Sequence, residues 1–252
     1  MPILLLSILS YSLAFIFSLI SHLFSPLRKI AFSLLLLGLF FYTLRILTLT
    51  FKLRGFPFAD TYGFYSLLGN GMLLLLILLS LRQAQLQGFF AFFSLLGILS
   101  TVLAMPAEPS PYRNPLYSLH ITSALLSYAF SLLGGLFSST KFVVESKIKH
   151  KSLEGFFLPL SLLRGGERLS INLSFLFFTL TLIFGSLWSR SVFGTHWIKD
   201  PKLVYVLFLW LYYAVLVHLN ILKKIKPKTL SYGILLGAIL SLLSLFFVRH
   251  AL

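Results

Sequence analysis

Residues 3–24 read ILLLSILSYSLAFIFSLISHLF, a run without one Asp, Glu, Lys or Arg. A helix needs about 20 mostly apolar residues to cross the hydrocarbon core of a bilayer, and this run is long enough to do so. Seven more runs in the chain meet the same requirement, at roughly 30–51, 63–81, 88–105, 116–139, 170–188, 202–222 and 229–249. The composition agrees: 58% of the 252 residues are hydrophobic and only 11% are charged, with a mean hydropathy of +0.94. A soluble domain carries roughly 25% charged residues, so the chain lacks the polar surface to face water. The expected fold is an all-α integral membrane bundle of about eight transmembrane helices, a single transmembrane domain over 1–252 with the lipid bilayer as its solvent. No internal repeat is evident, and Gly, Ser and Thr within the runs suit close helix packing in lipid. The first run is too long for a cleavable signal peptide, and Met1-Pro2 carries no basic region before it.

The excess of 21 basic over 6 acidic residues does not imply nucleic acid. The basic residues sit at the ends of apolar runs, where they set topology, and they form no solvated face for a phosphate backbone. Counted over alternate connections, 13 fall on one side and 8 on the other. The richer side, dominated by 141–169 and 223–228, is expected to be cytoplasmic. That leaves a cytoplasmic basic loop at 141–169 and external connections at 52–62, 106–115 and 189–201, with both ends of the chain facing outward. Prolines and aromatics concentrate in the external segments, so chemistry is expected there. The absence of cysteine excludes thiol–disulfide exchange and thiolate metal ligation by this chain. No Ser–His–acid set or carboxylate pair suggests hydrolysis, and six acids give little support to proton-coupled transport.

Topology sorts the six histidines. His120 opens the fifth run and His250 closes the eighth, both on the outer side. On neighbouring helices two neutral imidazoles can serve as axial ligands of a haem iron. His218 lies 17 residues beyond Pro201, about 26 Å along a helix at 1.5 Å per residue, deep in the membrane. An ionisable residue there is a functional candidate, and the other reading is a neutral imidazole hydrogen-bonded to a neighbouring helix. His22 and His150 lie near the cytoplasmic boundary, where solvation suffices to explain them. His196 falls in the external loop, where it either assists a site or is simply exposed.

All three tryptophans, Trp188, Trp197 and Trp210, fall within 23 positions. An anchoring aromatic belt is one reading. The spacing also fits a rigid aromatic shelf, because the external tryptophan-rich loop 185–202 holds a Gly194 turn and an Asp200-Pro201 pair suited to capping a helix.

This segment resembles the tryptophan-rich WWD signature of haem-handling proteins in cytochrome c assembly, nearest the CcsA (ResC) type. Gly185, Trp188, Gly194, Trp197, Asp200, Pro201, Lys202, Trp210 and His218 match the family pattern without a gap over 34 positions. The stretch from Pro115 through His120 to Tyr128 resembles the family's external histidine followed by L-S-Y-A. Phe56-Pro57 with Asp60 and Tyr62 resembles its F-P-L-S-N-x-Y loop. The resemblance implies that His120 and His250 are external axial ligands of haem b. It implies that His218 is a transmembrane ligand whose partner comes from a CcsB (ResB)-like membrane protein, and that apocytochrome c is the acceptor. Trp188, Phe193, Trp197 and Trp210, with the Asp200 turn, would form the shelf. Arg113, Arg190, Lys199 and Lys202 are external cations for the propionates, or are simply solvated. The implied function is that of a subunit of a holocytochrome c synthase without catalytic residues of its own. Departures from the pattern favour an alternative, a HemX-like carrier or regulator of haem synthesis. Phe193, Lys199 and Tyr205 stand where the family has Trp, Leu203 and Gly63 where it has Glu, and Gly55 where His is common.

Overall fold

The structure, a computed structural model, describes residues 2–21, 24, 26–151 and 158–247. Among these, eight α-helices follow one another: α1 (Pro2–Ile20), α2 (Leu27–Leu53), α3 (Thr61–Arg82), α4 (Phe90–Leu103), α5 (Pro115–Lys149), α6 (Leu160–Phe193), α7 (Pro201–Ile221) and α8 (Pro227–Phe247). All eight are long and apolar enough to cross a membrane, the fourth only when counted from Gln85. No strand is present among the described residues, and Phe58 and Pro109 form an isolated bridge. The all-α, multi-pass expectation holds. The eight runs map one to one onto the helices because a segment in lipid has only its own backbone with which to pair its N–H and C=O groups.

Two helices overrun their apolar runs. α5 and α6 have 35 and 34 residues, about 50 Å each at 1.5 Å per residue. The segment expected as a basic loop over 141–169 is therefore mostly helix, and only 150–159 connects the two. The expected loop over 185–202 likewise begins as helix, since α6 runs on through Phe193 and leaves 194–200 as the turn. Once a helix is nucleated, each further residue adds a hydrogen bond at little cost, so charged residues do not stop it. α4 is the opposite case: 14 residues, about 21 Å, extended by a 3₁₀ turn over Ala84–Phe89.

The helices gather into two compact units, Met1–Arg113 and Asn114–Leu252. In the first, α1 packs on α2 and α4, and α3 packs on α4. The Tyr11 ring sits against Gly38 and Gly97, and its hydroxyl donates to Asn70 Oδ1 at 3.0 Å. Asn70 Nδ2 donates in turn to Ser66 O at 3.1 Å and Ser100 Oγ at 2.9 Å. In the second unit α5 pairs most extensively with α6 and then with α8, while α7 lies on α6 and α8. There Ser131 Oγ bonds Tyr213 OH at 2.6 Å and Ser241 Oγ at 2.7 Å. Each unit buries many small polar side chains among its apolar ones and leaves large apolar side chains such as Leu9, Phe51, Val215 and Phe246 exposed. In lipid the outside costs nothing to leave apolar, and association comes from packing and interhelical hydrogen bonds.

The connections expected to be external in the first unit, 52–62 and 106–115, meet each other. Ser110 N donates to Pro57 O at 3.2 Å. A Cβ at Gly63 would lie 2.3 Å from Phe58 and one at Gly55 2.7 Å from Tyr112 O. The two glycines that depart from the family pattern are thus positions where the local packing admits no larger side chain.

Candidate functional site

The second unit has two ends. At the tryptophan end α5 begins, α6 ends and α7 begins. At the lysine end α5 ends, α6 begins and α7 turns into α8.

The tryptophan end is built by its caps. Asn114 Oδ1 accepts from Leu116 N at 2.9 Å, ahead of Pro115. Asp200, buried, accepts from Leu203 N at 3.1 Å ahead of Pro201. Both are helix starts of the expected kind, an acceptor before a proline that has no N–H to satisfy. α6 closes on Gly194 at φ 73°, a left-handed position that glycine takes without penalty. Within the turn, Ser189 Oγ donates to Thr195 O at 2.8 Å and Thr195 Oγ1 accepts from Trp197 N at 3.1 Å.

His120 on α5 lies against α6. Its Nδ1 is 3.0 Å from the carbonyl oxygen of Thr181. A carbonyl only accepts, so Nδ1 carries a proton and donates it. A backbone carbonyl on the far nitrogen is a common way of fixing a ligand histidine's tautomer. Gly185 makes the approach possible: a Cβ there would lie 2.8 Å from both Nδ1 and Cε1 of the ring. One turn on, the Trp188 indole stacks on the imidazole with centroids 6.2 Å apart and planes 9° from parallel. Tyr117 at 5.3 Å and Phe193 at 5.9 Å, the latter edge-on, pack against the same indole. Trp197 is 49% exposed in the turn.

Trp210 and His218 form a second group further down α7. The Trp210 Nε1–H donates to Thr179 Oγ1 at 2.8 Å, and Phe175 lies between the two residues, 6.1 Å from Trp210 and 6.2 Å from His218. His218 Nδ1 donates to Ala214 O at 2.7 Å. The ring is on the exposed face of α7. The four aromatics expected on one shelf are therefore divided: Trp188, Phe193 and the turn residue Trp197 belong to the tryptophan end, and Trp210 belongs with His218.

Among the cations, Arg190 Nη1 donates to His196 Nε2 at 2.9 Å, and Ser186 Oγ is 3.0 Å from His196 Nδ1. Accepting on Nε2 places the His196 proton on Nδ1, so the imidazole bridges one turn of α6 and steadies the guanidinium. Lys199 is exposed in the turn. Lys202 turns inward, donating to Ser244 O and lying 5.7 Å over the Tyr128 ring. Arg113 belongs to the first unit. His150 ends α5 in an exposed position. His22 and His250 lie outside the described residues. Sequence reasoning did not reach Tyr117, Phe175, Thr181 or Ser186, and only Gly185, as part of the G-x-x-W spacing, left a trace of the notch. Among the described residues no group of three or more His, Cys, Asp or Glu is placed to hold a metal ion. The tryptophan end instead brings the His120 and His196 imidazoles together with stacked rings and exposed cations.

Comparison with known proteins gives a family match over residues 1–252, to the cytochrome C assembly protein family. The chain is similar to the cytochrome c biogenesis protein CcsA of Chlamydomonas reinhardtii, 30% identical over 122 residues, which is 48% of this chain and 33% of that protein. It is similar to CcsA of Prochlorococcus marinus (strain MIT 9301), 32% identical over 133 residues, 44% of this chain and 43% of that protein. It is also 28% identical to CcsA of Heterosigma akashiwo over 162 residues, half of each chain. The chain spans between a third and a half of the length of these curated relatives.

Proposed function

The chain belongs to the cytochrome c assembly protein family, and on that premise we propose that it is the haem-binding membrane subunit of a cytochrome c synthase. It takes haem b through the membrane and presents it at the tryptophan end to apocytochrome c. The observation that carries the reading is the seat of His120: Nδ1–H on the Thr181 carbonyl, the ring in the Gly185 notch and parallel to Trp188. That arrangement supports His120 as the proposed iron ligand.

Each residue then has a task. His120 would hold the iron, with His250 as the proposed second ligand. Trp188, Phe193 and Trp197 stack against an apolar macrocycle, with Asp200 fixing the turn that carries Trp197. Arg190 and Lys199 pair with the propionates; Lys202, held by Tyr128 and Ser244, instead ties α7 to α5 and α8. His218, exposed on α7, would be the transmembrane ligand, its second ligand coming from a CcsB (ResB)-like partner. The thiols that add across the haem vinyl groups belong to the apocytochrome, so this chain contributes positioning and no nucleophile. We place it in the bacterial cytoplasmic membrane with the tryptophan end on the outer face, as the charge count supports.

Absorption spectra of the detergent-purified chain, oxidised and dithionite-reduced, test the reading. Low-spin haem bands in wild type that His120→Ala and Gly185→Ala reduce are expected. Bands that persist unchanged in both variants would remove His120 as a ligand. A second reading, a HemX-like carrier or regulator of haem synthesis without attachment activity, draws on the half-exposed Trp197 and on Phe193, Lys199, Leu203 and Tyr205. Co-expression with a CcsB-like partner and a reporter apocytochrome separates the two, because only a synthase yields covalent haem.

A further inference from the structure

The lysine end of the second unit carries a feature that the haem reading does not use. A cavity of about 280 Å³ opens there, lined by Lys141, Arg164, Glu167, Arg168, Asn220 and Lys223 among others. It holds four cations and one carboxylate, and that carboxylate is committed. Glu167 Oε1 accepts from Ser138 Oγ at 2.9 Å and Oε2 accepts from Lys141 Nζ at 3.0 Å. Lys141 is in turn held by Ser231 Oγ and by Pro227 O. Among the described residues, the lining thus leaves no further acidic side chain to balance Arg164, Arg168 and Lys223.

Arg164 and Arg168 are four residues apart, on one face of α6. Lys223 is brought opposite by the left-handed turn (φ 53°) that follows α7. Like charges converging from two elements repel unless an anion sits between them. Two guanidinium forks with an ammonium suit a tetrahedral oxyanion such as phosphate. The neighbouring surface indicates where the phosphate comes from. Leu169, Ile221 and Leu222, next in sequence to Arg168 and Lys223, are all more than half exposed. They give a hydrocarbon-facing rim to a basic cavity at the end of the spans, and basic pockets between transmembrane helices take lipid headgroups. We propose that this cavity binds the phosphate of an anionic phospholipid, with Arg164, Arg168 and Lys223 as its ligands and the Lys141–Glu167 pair as its floor.

Native mass spectrometry of the full chain in detergent, titrated with phosphatidylglycerol, phosphatidylcholine or inorganic phosphate, tests the proposal. Phosphatidylglycerol is expected to bind roughly ten-fold or more tightly than phosphatidylcholine. Arg164→Gln/Arg168→Gln should weaken it by roughly ten-fold, and Lys223→Asn, which keeps a residue tolerant of the left-handed turn, by a few-fold. If the double variant fails to fold, Lys223→Asn alone carries the test. Equal binding of the two lipids, or phosphatidylglycerol binding untouched by the variants, overturns it. Inorganic phosphate that binds wild type and is not displaced by phosphatidylglycerol overturns it too, by assigning the cavity to a soluble anion.

Discussion

The two units solve the same packing problem with different materials. The interior of the first is held by neutral groups, with Asn70 linking Tyr11, Ser66 and Ser100 and Tyr42 OH 2.9 Å from Ser66 Oγ. The interior of the second holds a full ion pair, Lys141 with Glu167, at 1% and 3% side-chain exposure, and the half-buried His120 is pinned to a neighbouring helix. Neutral hydrogen bonds in a membrane protein are individually modest, whereas a buried charge is costly as soon as it loses its partner. The first unit is thereby expected to be the more tolerant of substitution, because the second holds the buried ion pair.

Substitutions can break or sharpen that contrast. The largest effect is expected from Glu167→Ala, which strands Lys141 in the interior: about 3–5 kcal/mol, seen as a lowered thermal midpoint in detergent. A loss below about 1 kcal/mol would mean that Lys141 escapes to water and that the second unit is no more charge-dependent than the first. Gly185→Ala comes next. It pushes the His120 ring off the Thr181 carbonyl, costing about 1–3 kcal/mol by overpacking, and it should lower haem content more than it lowers stability. Asn70→Ala in the first unit should cost about 1 kcal/mol and leave the haem bands of the surviving protein unchanged; altered bands would show that the first unit is not merely structural. Smallest is His196→Ala, which frees Arg190 at an exposed site. A midpoint within about 2 °C of wild type, with weakened haem retention, would assign the imidazole to positioning the guanidinium.

How far the sequence could be read follows the same physics. The eight spans were legible because an apolar run of the right length has one solution in lipid. The cap at Asp200 and the turn at Gly194 were legible because they depend on residues within a few positions of one another. The extensions of α5 and α6 were not, because Lys141 reads as a helix end until Glu167, 26 positions on, is known to meet it. Nor was the division of the tryptophans, since Trp210 is claimed by Thr179 and Phe175 on another helix. The seat of His120 needed three facts at once: the register of α5 on α6, the missing methyl at Gly185 and the Thr181 carbonyl within reach of Nδ1. The motif spacing recorded the glycine without saying what it was for.

The 3₁₀ turn ahead of α4 has a consequence for the membrane itself. With only 14 helical residues, α4 falls short of a hydrocarbon layer of roughly 30 Å, and the turn over Ala84–Phe89 makes up the difference with poorer hydrogen bonds. A thicker bilayer would draw that turn further into hydrocarbon or have to thin around it, while α5 and α6 would gain cover for ends that now overshoot. Acyl-chain length thus acts on the two units in opposite senses, and the thickness of the host membrane becomes a variable that sorts where this chain is most stable.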